Sequence, residues 1–232
     1  MWHQPRARGA REAIRVLLGC RHSAKTARTA AVNELKALVV TCHPDLRQQL
    51  RGHSLARLLK AIDRLEGSTD VEVTATIAAM GSLAGRITAL GVEVRDLDRQ
   101  LGALITATAP QLRAEPGVGV VTAAQVLVSW SHPGRCRSEA AFARLGGVAP
   151  VPANSGQIQT RHRLNRGGDR ALNRALHLVI ITRSRAHQPT RDYIARRVAD
   201  GKTPREARRC LKRYLARHLY RLLEHPQDLL DT

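Results

Sequence analysis

The sequence has 232 residues, with 38 Lys and Arg against 19 Asp and Glu, a formal net charge of +19 and a pI near 11.4. That balance excludes an ordinary small-metabolite enzyme as the default reading, and 43% hydrophobic residues exclude a disordered basic tail. A twofold excess of cations on a folding chain points to a polyanion, and nucleic acid fits better than a membrane surface.

The first basic block, residues 1–64, carries 13 basic and 4 acidic side chains. It opens with a helix in which Ile14, Leu17, Ala24, Ala31, Leu35 and Leu38 keep a three-four spacing. His43-Pro44 should end that helix, and a second short apolar stretch follows from Leu55 to Leu65. Residues 1–66 therefore read as a basic helical linker region. Gly67-Ser68-Thr69-Asp70 forms a boundary where Ser68, Thr69 or Asp70 caps the next helix. In that helix Ile87, Leu90, Val94, Leu97, Leu101 and Leu104 alternate by three and four, so residues 67–110 read as a coiled-coil arm or helical hairpin. Gly81, Gly85, Gly91 and Gly102 weaken it and favour close helix packing.

Residues 65–156 are nearly neutral, with 7 basic and 8 acidic side chains. Pro110 ends the long helix, and Pro116-Gly117-Val118-Gly119 then resembles a helix-hairpin-helix turn, in which backbone N–H groups at a helix start face a DNA phosphate. An ordinary Pro-Gly turn between two helices fits the same residues. A helix from Glu139 should stop at Gly146-Gly147, and Pro150 and Pro152 hold an extended loop that carries Ser155-Gly156. Asp169 can cap a further helix running through Arg170, Leu172, Asn173, Leu176, His177 and Ile180.

Residues 157–224 hold the densest charge, 18 basic against 5 acidic side chains. The candidate DNA contacts are Gly117, Gly119, Arg161, Arg163, Arg166, Arg170, Arg174, Arg209, Lys212 and Arg213. Near the end of the chain Leu211, Leu215, Leu219 and Leu222 are spaced four, four and three, giving one packing face with arginines outside it. Aromatic residues are 3% of the chain, so backbone electrostatics rather than base stacking should dominate binding. A loop serine beside guanidinium groups supplies what attack on a phosphodiester needs, a hydroxyl nucleophile and cations around the pentacoordinate phosphorus. The four cysteines show no C-x-x-C pair, no apolar run approaches the roughly 20 residues of a spanning helix, and the start lacks a signal-peptide core. These features read as a cytoplasmic chain with no membrane partner.

Several segments together carry a family resemblance. They are Pro116-Gly117-Val118-Gly119, the run Ser138-Glu139-Ala140-Ala141-Phe142-Ala143-Arg144-Leu145-Gly146-Gly147-Val148-Ala149-Pro150, Asn154-Ser155-Gly156, and Arg163-Leu164-Asn165-Arg166-Gly167-Gly168-Asp169-Arg170-Ala171-Leu172-Asn173-Arg174-Ala175-Leu176-His177. Lys202-Thr203-Pro204-Arg205-Glu206 and Cys210-Leu211-Lys212-Arg213-Tyr214 continue it. In this order they resemble the C-terminal transposase domain of the insertion-sequence 110/116/902 family, with residues 11–110 similar to its linking helices and coiled coil. The resemblance implies a mainly α fold, with a helical hairpin or coiled-coil region and then a compact helical transposase domain over residues 111–225 and a tail at 226–232. It implies Ser155 as the nucleophile that joins to DNA, a structured guide RNA, and DNA of element ends and target as partners; the helical arm itself reads as the site of a homo-oligomer.

The chain also departs from that pattern. The family's RuvC-like domain, with four acidic residues that hold divalent metal such as Mg, would precede residue 1, and no cofactor is expected of the residues present. The expectation is a truncated transposase or recombinase, or half of a split enzyme completed by another polypeptide. The alternative is a nucleic-acid-binding module without catalysis, which binds DNA or guide RNA or co-assembles with intact transposase.

Overall fold

The structure is a computed structural model that describes residues 8–152, 162–164 and 167–225. It is mainly α-helical, as the sequence implies, and the chain divides into two compact units. Residues 19–99 form one, and residues 1–18 join residues 100–232 in the other.

The unit of residues 19–99 is built on two long helices. Helix α1 (Ala10–Thr41) contains no proline, and it stops where His43-Pro44 removes the next backbone donor. Helix α4 (Val71–Thr108) starts at Asp70, whose Oδ1 accepts the Val73 N–H at 3.0 Å. The pair is antiparallel: Arg21 bridges to Asp98, and the Arg28 side chain crosses α4 at Gly91. Ala31, Leu35 and Val39 of α1 are buried with Met80, Leu83 and Ile87 of α4. Two short helices, α2 (Pro44–Leu50) and α3 (Leu55–Ile62), close this core with Leu46, Leu50, Leu58 and Ile62. Of the four glycines of α4, Gly91 and Gly102 have close neighbours, whereas Gly81 and Gly85 have nothing within 4 Å. Among the described residues α4 is the one helix whose length and composition would allow it to cross a membrane; in this unit Met80, Leu83 and Ile87 are spent on the core. Asp70→Ala, which orphans the first N–H groups of α4, should lower the stability of the 19–99 unit by about 1 kcal/mol in urea titration, with Asp70→Asn nearly silent.

The second unit receives the start of α1 and the end of α4, then α5 (Pro110–Ala114), α6 (Val120–Trp130), α7 (Glu139–Leu145), α8 (Arg170–Ala186), α9 (Gln188–Ala199) and α10 (Pro204–Glu224). Between α7 and α8 two three-residue strands, β1 (Pro150–Pro152) and β2 (His162–Leu164), pair antiparallel, with Pro152 opposite His162. Leu101, Ile105, Leu112, Leu127, Trp130, Phe142, Leu172, Leu176, Leu215 and Leu219 share one core. The spacing of four, four and three in α10 therefore buries Leu215, Leu219 and Leu222, with Leu211 at the edge.

Local chemistry fixes the helix starts. Ser138 caps α7, Asp169 caps α8, and Thr203 with Glu206 forms a reciprocal capping box on α10. Tyr220 donates to the Cys136 carbonyl at 2.6 Å and lies 5.9 Å from the Phe142 ring, tying α10 to the approach of α7. At the end of α6, buried Ser131 has a φ of 71° and the His132 N–H returns to the Trp130 carbonyl, a tight reversal of the chain.

Candidate nucleic-acid interface

Charge is divided unequally between the two units. Residues 19–99 carry 12 basic and 9 acidic side chains, whereas residues 1–18 and 100–232 carry 26 and 10. Residues 19–64 bring 9 basic and 3 acidic side chains to the first of these units, and residues 65–99 offset them with 3 basic and 6 acidic. The stronger positive field belongs to the other unit.

The described carboxylates of that unit are committed to its own structure. Glu115 holds Arg183 at 2.7 Å and His218 at 2.7 Å. Glu139 pairs with Arg217 and reaches Arg221 at 3.5 Å. Glu224 accepts the Trp130 indole N–H at 2.8 Å and the Gly134 N–H. Asp200 takes Arg197, Glu206 closes the α10 capping box and Asp192 accepts from Gln188. Asp169 accepts the Ala171 and Leu172 N–H groups at 2.9 Å each and the buried Ser129 hydroxyl at 2.6 Å. By contrast Arg170, Arg174, Arg208, Arg209, Lys212 and Arg213 have no ion pair with any described carboxylate. Unneutralised cations concentrated on α8 and α10 are what counterion release on binding a phosphate backbone requires.

The start of α8 is anchored from three sides. The Asp169 N–H donates to the Leu145 carbonyl at the end of α7, and its carboxylate reaches Ser129 of α6, which itself accepts from Gln125 at 3.0 Å. Asn173, one turn into α8, donates through Nδ2 to the Gly146 carbonyl at 2.7 Å and accepts the Lys212 ammonium at 3.1 Å through Oδ1. The Gly146-Gly147 turn, α8 and α10 are therefore joined through one amide. In sequence, β1 and β2 lie between that turn and α8, and Ser155 lies in the segment that links them.

The expected contacts fall into three groups. Ser155, Arg161 and Arg166 lie outside the described residues, and Arg163 is described only as a β2 residue opposite Val151. Arg170 and Arg174 are exposed one turn apart on α8, and Arg209 and Arg213 are exposed on α10 beside half-buried Lys212. Gly117 and Gly119 sit elsewhere. Gly117 has a φ of +75°, and a Cβ there would come within 3.1 Å of Arg183 Cγ and 3.3 Å of the Val179 carbonyl, so its glycine is required by close approach to the far end of α8. That end lies about 15 Å along the helix from Asn173. Gly119, at the start of α6, is exposed, with Thr122 Oγ1 at 3.9 Å its nearest such neighbour.

Sequence reading passed over Asn173, His177, Arg208 and Glu115 as site residues. Burial pushes His177 below the ordinary imidazole value, with Lys212 and Arg208 adding to the shift. Burial and Arg209 likewise lower Lys212. Two four-residue spacings, Asn173 to His177 and Arg208 to Lys212, place each pair on one helix face and were the available signal.

Comparison with known proteins gives the following. Residues 109–195 match the family described as Transposase IS116/IS110/IS902 family. An uncharacterised 43.6 kDa protein of insertion element IS110 from Streptomyces coelicolor is 33% identical over 199 residues, covering 84% of this chain and 48% of that protein. An uncharacterised 42 kDa protein of insertion element IS900 from Mycobacterium paratuberculosis is 31% identical over 157 residues, 66% of this chain and 38% of that protein. The chain thus spans about half, or less, of the length of each relative.

Proposed function

Because this chain belongs, through residues 109–195, to the IS116/IS110/IS902 transposase family, we propose that it binds DNA and acts in transposition of an insertion element, with Ser155 as nucleophile. The observation that carries the reading is the group of cations on α8 and α10 without an ion pair to any described carboxylate, inside the unit that holds the family-matched residues. Attack would join Ser155 Oγ to phosphorus and release a deoxyribose oxygen, which takes up a proton. The phosphodiester bond energy is kept in the serine ester, so resealing to a new strand needs no outside energy source. Arg170 and Arg174, with Arg161, Arg163 and Arg166 of the adjoining segment, are the cations assigned to the phosphates.

A divalent metal is assigned no step here, since the described carboxylates of this unit are each held by protein donors and gather into no ligand cluster. A structured guide RNA and self-association through α4 belong to the same proposal. With element-end DNA carrying a trapped leaving group, guide RNA and a full-length family member, a covalent adduct to this chain is expected and should vanish in Ser155→Ala. An undiminished adduct would remove Ser155 from the chemistry. The committed carboxylates also favour a second reading, a nucleic-acid-binding module without strand chemistry, which predicts salt-sensitive binding and no adduct under any metal.

A further inference from the structure

We infer that Asn173 and His177 of α8 together with Arg208, Arg209 and Lys212 of α10 form a preorganised seat for one backbone phosphate of duplex DNA. The inference rests on the transposase reading and adds to it a specific phosphate-binding point on a surface otherwise described only by its charge.

The first observation is geometric. Lys212 crosses from α10 to α8 and gives one ammonium proton to Asn173 Oδ1 at 3.1 Å. Asn173 cannot turn away, because its Nδ2 is committed to the Gly146 carbonyl at 2.7 Å. The amide therefore aims the ammonium, whose remaining protons have no acceptor among the described residues. The second observation is independent. Arg208, one turn before Lys212 on the same helix, has a buried Nε with no hydrogen-bond partner. The Nε atoms of Arg28 and Arg197 are likewise unpartnered among the described residues, and of the three Arg208 is the one that acts on His177 and lies one turn from Lys212.

The third is electrostatic. The groups that act on Lys212 and His177 are cations, Arg209 on the first and Lys212 with Arg208 on the second, and no carboxylate contributes to either. A half-buried ammonium held among like charges costs folding free energy rather than supplying it. Such an arrangement fits an anion that arrives later, accepts from Lys212 and a neighbouring guanidinium and neutralises the cluster. Asp169 is held by the α8 start and Glu206 by Thr203, and Glu206 acts in addition on Arg209 at the edge of the seat but not on Lys212 or His177. A phosphodiester of the DNA backbone matches the seat, with one charge and two free oxygens for two donors.

The full chain is titrated with fluorescent duplex DNA across a salt series, and its thermal stability is measured without DNA. Lys212→Met should weaken duplex binding about fivefold to tenfold and reduce the slope of log affinity against log salt by about one, while thermal stability stays level or rises. His177→Glu supplies an internal anion at an exposed helix position, and it should block binding by a similar factor without loss of stability. Binding and salt slope equal to the unmodified chain in both variants would overturn the seat and leave the transposase reading intact. Loss of binding matched by loss of stability would also overturn it, since a structural tie would behave that way. If inorganic phosphate alone, against matched chloride, stabilises the unmodified chain as strongly as duplex DNA does, the seat serves free phosphate and the DNA assignment falls. An unmodified chain that does not bind duplex DNA at low salt would overturn the transposase reading itself.

Discussion

Gly168→Ala should destabilise the C-terminal unit by about 3 kcal/mol, enough to shift its unfolding midpoint by several degrees. Gly168 has a φ of +102°, which an L-residue rarely adopts, and a Cβ at this position would stand 2.5 Å from the Leu145 carbonyl oxygen and 3.1 Å from the Gly147 nitrogen. Both obstacles are backbone, so no side chain can swing aside. Relief would require the Gly146-Gly147 turn to move away from α8, breaking the Asp169 N–H bond to Leu145 and the Asn173 bond to Gly146. Gly201→Ala is the control. Gly201 also has a positive φ, +80°, but nothing lies within 4 Å, so only the backbone penalty of about 1 kcal/mol remains. Equal losses in the two variants, measured by denaturant titration, would show that the close approach at Gly168 does not matter.

Glu115→Gln should cost about 2 kcal/mol and remove part of the acid sensitivity of the fold. Glu115 joins three elements, receiving Arg183 of α8 on Oε2 and His218 of α10 on Oε1 just before the Gly117 turn. Arg183 also donates to the Pro116 carbonyl at 2.6 Å, and its side chain is only 13% exposed, so neutralising its partner leaves a poorly hydrated guanidinium. The His218 hydrogen bond, ahead of the opposing effect of burial and the further help of Arg183, holds the Glu115 carboxyl below the ordinary carboxylate range. The unfolded chain therefore takes up this proton first as pH falls. The stabilisation is complete above the unfolded value near 4.3 and is lost as pH drops through that value toward the folded one. Denaturation from pH 7 to pH 3 should be less steep in Glu115→Gln than in the unmodified chain. Parallel curves would mean that Glu115 titrates alike in both states.

Where one face of a helix decides, the sequence is legible. The stops at His43-Pro44 and Gly146-Gly147, the caps at Asp70 and Asp169, and the α10 stripe through Leu215 and Leu219 are local consequences of proline, of short acceptors and of helical period. The partnership of each face is not local. The stripe of α4 keeps one rhythm from Ile87 to Leu104, yet Ile87 serves the core of residues 19–99 while Leu101 and Ile105 serve the other unit. Periodicity says that a face is buried and is silent on what buries it. The same limit applies to the site. Exposed Arg170 and Arg174 are visible in a basic run, whereas Asn173 acquires a role only because Gly146 and Lys212, 27 and 39 residues away, arrive on either side of its amide.

The unequal division of charge bears on the free protein as well as on binding. A unit with 26 basic and 10 acidic side chains repels itself, and the repulsion extends over the Debye length of about 10 Å at 0.1 M salt. The unit of residues 19–99, almost balanced, has little of this internal pressure. Dilution of the buffer should therefore loosen one half of the molecule and leave the other nearly indifferent. Nucleic acid would then act as an electrolyte concentrated at a single place, tightening the unit it occupies in the act of occupying it.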